Sequence, residues 1–524
     1  MTQGSKLSLI FNSAKMAIAT FLSRILGLVR EQVIAGMFGA SGLTDAFLVA
    51  YRIPNLLRDL LAEGAFSAAF VPSFTEENLE DEAKGNALLW SLFKTMMILT
   101  GVLSILIFLF APQFISLFAP SFKQQPDKFE MAVFMVRVMS PYLVFVSLAA
   151  LFMGALNSLK IFFIPALAPA LLNVVLISSA LLFPSLLQDN GMPIIYAIAI
   201  GVCIGGFIQM AFQFPFLIRK GYRPKLKDFL GIHPQTKVIF KKLGPGLIGF
   251  AAAQVSLIVN TILATGTVVG AVSWLSFAFR LFQFPLGVLG VSIGNSHLVF
   301  FAQYWKSGRK EEAIETLRSS LFLSFLLLIP FAFLLFALSE ECVNLIYERG
   351  KFDRHSTLMT AVAMKFYILG LPFYGIQKIF VPTFYTLDLQ RVPVQASLIS
   401  ISFNIIFSVL LVDKYGFSIL ALSTALSLFI NTVYQFWRLG KGLEYPAKKL
   451  FSMRYVKVLI AGVFCFWLSD RLAVALYDFD ISTSFKIIQL FFCGISGVGI
   501  YIFLLTLMGE KEWINFLRKK LNKQ

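Results

Sequence analysis

Charged residues are scarce in this 524-residue chain: Asp, Glu, Lys and Arg make up only 14%, whereas hydrophobic residues make up 58%. A typical soluble domain is about 25% charged. This shortage excludes a soluble globular protein or a disordered chain and indicates a polytopic membrane protein. Cysteine and histidine are also rare, with four and three residues. They lie far apart, so the sequence predicts no disulfide framework, metal centre or cofactor.

Long apolar runs fill most of the chain. Runs of about 20 residues, enough for an α-helix to cross a bilayer, recur about fourteen times between polar breaks. We therefore predict an all-α membrane protein with about 14 transmembrane helices. The predicted second and eighth spans are 45–72 and 272–300, and both contain charged residues and proline.

The positions of Lys and Arg predict the orientation in the membrane. Basic residues concentrate in loops such as 219–242 and in the tail 511–523, which lie on the same side if the number of spans is even. We predict a multi-pass protein with both termini in the cytoplasm. The net charge of +17 then favours membrane lipids with anionic headgroups as partners, and not nucleic acid.

An internal repeat appears when the chain is shifted by 231 residues. Gly39 then aligns with Gly270, Pro141 with Pro372, and Lys160 with Arg391. Matches of this kind predict two six-helix lobes around a central cavity, which is typical of transporters. The predicted parts are an N-terminal lobe, a C-terminal lobe, and two additional helices with a basic tail: 1–238, 239–450 and 451–524.

Several charged residues interrupt the predicted first and second spans. An arginine at the middle of a bilayer costs at least about 2.5–3.5 kcal/mol, so such residues face protein or a wet cavity. One group has opposite charges within reach along the helices, and we interpret it as structural or gating charges that neutralise one another in buried pairs. Its members are Arg30, Glu31, Arg52, Asp59 and Glu63.

Three other arginines are harder to explain by pairing. Arg24 and Arg280 have no acidic residue three or four positions away, whereas Arg58 is followed directly by Asp59. The three come from both predicted lobes, so they indicate an anion site in the shared cavity. A guanidinium group suits phosphate because its planar fork donates two parallel hydrogen bonds. No sequence motif of an ATPase or hydrolase is found, which favours a transporter over an enzyme.

The segment SRILGLVREQVIAGMFGASGLTDAFLVAYRIPNLLRDLLAEGAFSAAFVPSF closely resembles the signature of the MurJ/MviN lipid II flippases. GPGLIGFAAAQVSLIVNT, VSWLSFAFRLFQFPLGVLGVSIG and ERGKFD resemble later segments of that family, in the same order. The resemblance implies the fold of the multidrug/oligosaccharidyl-lipid/polysaccharide exporter superfamily. It also implies that the two C-terminal helices form a lipid-facing groove that leads into the cavity.

The resemblance implies a set of substrate-binding residues as well. The essential cavity arginines of the family match Arg24, Arg58 and Arg280, an acidic residue of the second span matches Asp45, and a serine of the eighth span matches Ser273. Some members have an acidic residue where this chain has Gln283. Any role of that carboxylate is therefore not carried over.

From this resemblance we predict a flippase in the bacterial inner membrane. By alternating access it would move lipid II, the undecaprenyl-diphosphate-linked peptidoglycan precursor, from the cytoplasmic to the periplasmic leaflet for cell-wall synthesis. The membrane potential or a coupling ion would drive transport, and other cell-wall synthesis proteins are candidate partners. The alternatives are a flippase for another polyprenyl-diphosphate oligosaccharide, a drug/cation antiporter of the same superfamily, and a non-transporting scaffold for cell-wall enzymes.

Overall fold

A computed structural model describes residues 3–62, 65–226, 228, 231–443, 450 and 452–510. Within these ranges the chain forms α-helices, one 3-10 helix and one π-helix, and it contains no strand. The prediction of an all-α protein is confirmed. Two compact units divide the chain: residues 1–273 with 349–352, and residues 274–348 with 353–524. The predicted parts 1–238, 239–450 and 451–524 stay a prediction.

In the described residues, the first unit contains ten helices and the 3-10 turn Pro120–Gln124. In chain order, α1 to α10 are Gln3–Phe38, Gly42–Ala62, Ala65–Glu80, Glu82–Leu109, Ala111–Phe118, Pro126–Met139, Tyr142–Ser158, Phe163–Asp189, Tyr196–Arg219 and Pro234–Thr265. Aromatic side chains form much of its core: Phe70 and Trp90 are fully buried between α3, α4 and α7. Gly154 makes this packing possible, since a Cβ atom there would lie 2.8 Å from the Phe70 ring.

Most of α11 and all later helices belong to the second unit. α11 to α20 are Ala271–Pro285, Val291–Lys306, Lys310–Ala337, Ser339–Tyr347, Arg354–Ile368, Leu371–Thr386, Arg391–Tyr415, Ser418–Leu443, Met453–Leu476 and Thr483–Leu507. The last two helices pack against each other and against α13. The Tyr501 hydroxyl of α20 donates a hydrogen bond to the Leu326 carbonyl oxygen of α13, at 2.7 Å.

Nine helical segments of the described residues are long and apolar enough to cross a membrane, with α6 and α7 counted together as Pro126–Ser158. The number rises to ten if α15 and α16, bent by 42°, form one broken span. This makes the chain a multi-pass membrane protein, but the predicted number of fourteen is not confirmed. The predicted span 272–300 is interrupted: α11 ends at Pro285, and the π-helix Leu286–Gly290 precedes α12. Proline explains the break, because it has no backbone N–H and its ring clashes with the preceding helical turn.

One aligned pair of the predicted repeat shares a backbone conformation. Gly39 between α1 and α2 and Gly270 directly before α11, 231 residues apart, both have positive φ angles, +66° and +94°. Lys160 after α7 and Asp388 after α16, which are 228 residues apart, are the described non-glycine residues with positive φ angles, 61° and 57°. The alignment of Lys160 with Arg391 stays a prediction.

Candidate functional site

The structure leaves two of the three predicted phosphate-binding arginines accessible. Arg24 in α1 and Arg280 in α11 are both exposed. The described part of the chain offers the Arg24 side chain no hydrogen bond or ion pair. Arg24 belongs to the first unit and Arg280 to the second. Each unit therefore presents one guanidinium group that is accessible to an anion.

The third predicted arginine, Arg58, lies in a half-buried cluster of the first unit. It is close to the buried Tyr142 of α7, whose ring centroid lies 6.1 Å from that of Tyr51 in α2. Arg30 of α1 lies near the same two tyrosines. The tyrosine pair thus joins a predicted substrate-binding arginine to one of the predicted structural charges.

Arg30 forms a buried ion pair with its neighbour Glu31, with 2.5 Å between Nη2 and Oε1. Adjacent residues of a helix point about 100° apart, but the long arginine side chain reaches around α1. Its other nitrogen, Nη1, donates to Asn173 Oδ1 of α8 at 3.0 Å, and Asn173 Nδ2 donates to the Ser23 carbonyl oxygen at 3.1 Å. Sequence analysis missed this role of Asn173, because nothing in the spacing of residues 143 positions apart shows that they meet.

The remaining predicted structural charges are Arg52, Asp59 and Glu63. Arg52 is half-buried within this helix. Asp59 belongs to α2, but its side chain lies outside the described part of the structure, and so does the whole of Glu63. The proposed neutralisation of these three charges stays a prediction.

Asp45 and Ser273 meet in a buried cluster, with 2% and 0% of their surfaces exposed. The Asp45 carboxylate accepts hydrogen bonds from the backbone N–H groups of Gly270 and Ser273, at 2.7 and 3.0 Å, and from the Ser273 hydroxyl at 2.7 Å. Because α11 begins at Ala271, the carboxylate binds the free N–H groups at the start of this helix, where the helix dipole favours a negative charge.

Lys128 of α6 completes the cluster, with its Nζ atom 3.7 Å from Asp45 Oδ2. Sequence analysis did not single out Lys128, since Asp127 and Glu130 beside it make it look like an ordinary surface residue. Asp45 and Ser273 are thus brought together as predicted residues, but their polar groups are directed at each other and at Lys128. In this conformation the cluster links α2, α6 and the start of α11.

A second close contact joins the C-terminal end of α1 to the segment 349–352 of the same unit. The Lys351 N–H group donates to the Gly36 carbonyl oxygen at 2.7 Å. Gly350 has a φ angle of +56°, and a Cβ atom there would lie 2.2 Å from the Gly36 oxygen. At Gly39 a Cβ atom would lie 2.5 Å from the Lys351 carbonyl oxygen. Only glycine allows the two backbones to approach so closely, which explains the glycine of the ERGKFD segment.

The second unit holds a lysine in an apolar helix that sequence analysis missed. Lys378 lies in the apolar helix α16, is half-buried, and has its Nζ atom 5.1 Å from the ring centroid of Tyr374. A lone lysine in an apolar run is a signal that could have been found, because such residues are costly in a bilayer and mark functional sites.

Comparison with known proteins places these features in context. The sequence model of the family described as "Lipid II flippase MurJ" matches residues 34–484. The chain is 32% identical over 511 residues to a "Probable lipid II flippase MurJ" of Buchnera aphidicola from Acyrthosiphon pisum, covering 96% of this chain and 98% of that protein. It is 36% identical over 433 residues to the "Lipid II flippase MurJ" of Burkholderia cenocepacia, covering 82% and 83% of the two chains.

Solved structures give a consistent result for the fold. A structure described as "Lipid II flippase MurJ, inward closed conformation" matches with a TM-score of 0.76 and 26% identity, over 94% of this chain and 98% of that one. An inward-facing multidrug resistance MATE family transporter of the MOP superfamily matches with a TM-score of 0.65 and 13% identity, over 82% and 96% of the chains. The second likeness concerns the fold alone.

Proposed function

The chain belongs to the lipid II flippase MurJ family, and we propose that it moves lipid II from the cytoplasmic to the periplasmic leaflet of the bacterial inner membrane for peptidoglycan synthesis. The observation that carries the proposal is the likeness, over nearly the whole chain, to relatives that are named lipid II flippases. The chain is accordingly a transporter and not a catalytic enzyme. We propose lipid II itself as its substrate, which is narrower than the class of polyprenyl-diphosphate oligosaccharides in general.

The accessible arginines support a role in binding the diphosphate of this substrate. Arg24 and Arg280 are exposed, one in each unit, and a guanidinium fork matches phosphate oxygens with two parallel hydrogen bonds. Arg58 would bind the same headgroup from its place beside Tyr142. A drug/cation antiporter would need acidic groups in these positions, so the arginines favour an anionic substrate.

Transport would alternate between a state open to the cytoplasm and a state open to the periplasm. With both termini in the cytoplasm, the C-terminal end of α1 lies on the periplasmic side, and there the contact of Gly36 with Lys351 would have to separate for release. The polyprenyl tail would stay in lipid and follow the surface of α19 and α20. We also propose that the protein lies in the inner membrane and that both termini lie in the cytoplasm.

We further propose that the membrane potential drives the cycle. Moving one elementary charge through the membrane field is worth about 2.3 kcal/mol per 100 mV, so a cavity rich in arginine that rearranges within the field would respond to it. No cofactor is needed for such a cycle. A coupling ion is the alternative energy source, and its signature would be transport that persists without a potential when an ion gradient is imposed.

The proposal is tested in bacteria depleted of their own lipid II flippase and expressing this chain. The assay measures how much lipid II becomes accessible to a periplasmic enzyme that cleaves it. We expect accessible lipid II with the wild-type chain and little with Arg24→Ala or Arg280→Ala, at equal amounts of protein in the membrane. Arg24→Lys keeps the charge but loses the fork, so an intermediate loss is expected.

The matched control is Arg137→Ala, because Arg137 is an exposed arginine at the end of α6 that stacks on Phe108, outside the candidate site. This variant should behave as the wild type. A well-expressed wild-type chain that leaves lipid II inaccessible would contradict the proposal. It would favour a flippase for a different polyprenyl-diphosphate oligosaccharide. Full activity of both arginine variants would instead favour a non-transporting scaffold.

A further inference from the structure

Lys378 occupies a helix that provides no countercharge. α16, from Leu371 to Thr386, contains no acidic residue, and Lys378 is its only charged side chain. Within the described part of the chain, its ammonium group has no carboxylate in ion-pair distance, and it lies over the Tyr374 ring. A charged side chain within an apolar helix needs a wet surface or an anion. Lys378 is half-buried, so part of the residue is exposed.

α16 packs against the π-helix Leu286–Gly290 and α12, and it also meets the helix that carries Arg280 near Phe282. Tyr374 and Lys378 are four residues apart and so share a face. The Tyr374 ring centroid lies 6.2 Å from that of Phe282, two residues after Arg280. Farther along, a Cβ atom at Gly290 would lie 4.0 Å from Lys378 Cγ, and one at Gly294 would lie 2.7 Å from the Lys378 carbonyl oxygen. Because residues 290 and 294 are both glycine, no side chain at either position separates Lys378 from the first part of α12.

Arg280 and Lys378, both in the second unit, are therefore offset from each other. Arg280 and Gly290, the residue beside Lys378, are ten positions apart, or roughly 10–15 Å along the axis, because the π-helix Leu286–Gly290 rises less per residue than an α-helix. A diphosphate bound by Arg280 is much shorter than this distance. The next anionic groups of the proposed substrate are the carboxylates of its peptide, which branches from the sugar next to the diphosphate. A compact ammonium group suits a single carboxylate, whereas the guanidinium fork suits phosphate.

We propose that Lys378 is a further substrate-binding residue, whose ammonium group binds a carboxylate of the headgroup peptide. This inference rests on the proposed function, and it gives the second unit a role in distinguishing complete lipid II from undecaprenyl diphosphate. Tyr374 orients the lysine through its ring face.

The test uses the full purified chain in detergent and measures binding of three ligands: lipid II, lipid II with amidated peptide carboxylates, and undecaprenyl diphosphate. We expect Lys378→Met to weaken binding of lipid II by about tenfold to a hundredfold, as for loss of a charge-assisted hydrogen bond, and to leave undecaprenyl diphosphate unaffected. The wild type should bind the amidated ligand correspondingly less well, whereas Lys378→Met should no longer distinguish the two forms of lipid II. Lys378→Arg should retain most of the affinity.

Lys414→Met is the matched control, because Lys414 is an exposed lysine at the end of α17 and its loss should change nothing. Unchanged lipid II affinity in Lys378→Met, with the wild type binding tightly, would overturn the inference and leave the proposed function intact. An equal loss for lipid II and undecaprenyl diphosphate would also overturn it, since Lys378 would then bind the diphosphate. A wild-type chain that binds no lipid II would refute the proposed function and this inference together.

Discussion

Replacing Asp45 by alanine is expected to destabilise the protein much more than replacing its partner Ser273. The Asp45 carboxylate accepts three hydrogen bonds in a buried cluster, two of them from the backbone at the start of α11. In Asp45→Ala all three donors lose their acceptor. Each unsatisfied buried group costs about 1–3 kcal/mol, so we expect a loss of at least about 3 kcal/mol in the free energy of unfolding.

Ser273→Ala removes only the hydroxyl and leaves both backbone bonds to Asp45 in place. A hydrogen bond to a charged group contributes about 1.5–3 kcal/mol. Ser273→Ala should therefore lose no more free energy of unfolding than this, and less than Asp45→Ala. The two residues touch, and their effects should therefore not add: in the Asp45→Ala background, Ser273→Ala should cost close to nothing.

The assay is thermal or denaturant unfolding of the four purified forms in the same detergent, with the wild type, both single variants and the double variant measured together. The interaction energy follows from the differences among the four forms. If Asp45→Ala costs no more than Ser273→Ala, or if the two losses simply add, the carboxylate does not cap α11 and the reasoning is refuted.

Three further predictions concern residues in and between α14 and α15. Gly350→Ala should destabilise the protein more than Gly308→Ala in unfolding assays. Both glycines have positive φ angles, but of the two only Gly350 has a backbone atom close to where the Cβ atom would lie. Equal losses in the free energy of unfolding would refute the close contact. Asp353 accepts a hydrogen bond from the Ser356 N–H group at the start of α15, which lowers the pKa of its carboxyl group. Asp353→Ala should therefore lower the free energy of unfolding by about 1 kcal/mol at pH 7. The resulting difference in melting temperature should shrink as the pH falls through this lowered pKa, and a constant difference would contradict the capping role. Burial raises the pKa of Glu341 in α14, so stability is lost as the pH rises through that value. Glu341→Gln should therefore melt above the wild type at pH 8 but not at pH 4. A wild type that melts above Glu341→Gln at pH 8 would show that the carboxylate is needed in its charged form.

The long apolar helices could be predicted from the sequence because each depends on a property of its own residues. Apolar runs of about 20 residues have one stable form in lipid, since every backbone hydrogen bond is then satisfied within the helix. The structure places α17 at Arg391–Tyr415 and α19 at Met453–Leu476, close to the runs that hydrophobicity marks. The break at Pro285 was less visible, because the apolar composition continues through it.

The contacts of the candidate site could not be predicted in the same way. Asn173 meets Arg30 across 143 residues of chain, and Lys128 meets Asp45 from another helix. Such pairs depend on how helices pack, and no spacing within one helix reports it. Single residues with unusual chemistry, such as Arg24 and Arg280, were found because their cost in a membrane is independent of their partners.

The most direct measurement is the movement of lipid II between the leaflets of liposomes that contain only this purified chain. Lipid II placed in one leaflet is followed by its accessibility to an added enzyme, with and without an imposed membrane potential. We expect transfer by the wild type and by Arg137→Ala, faster with the potential, and little transfer by Arg24→Ala or Arg280→Ala. Transfer that is equally fast in all four forms, or absent in a folded wild-type chain, would contradict the account.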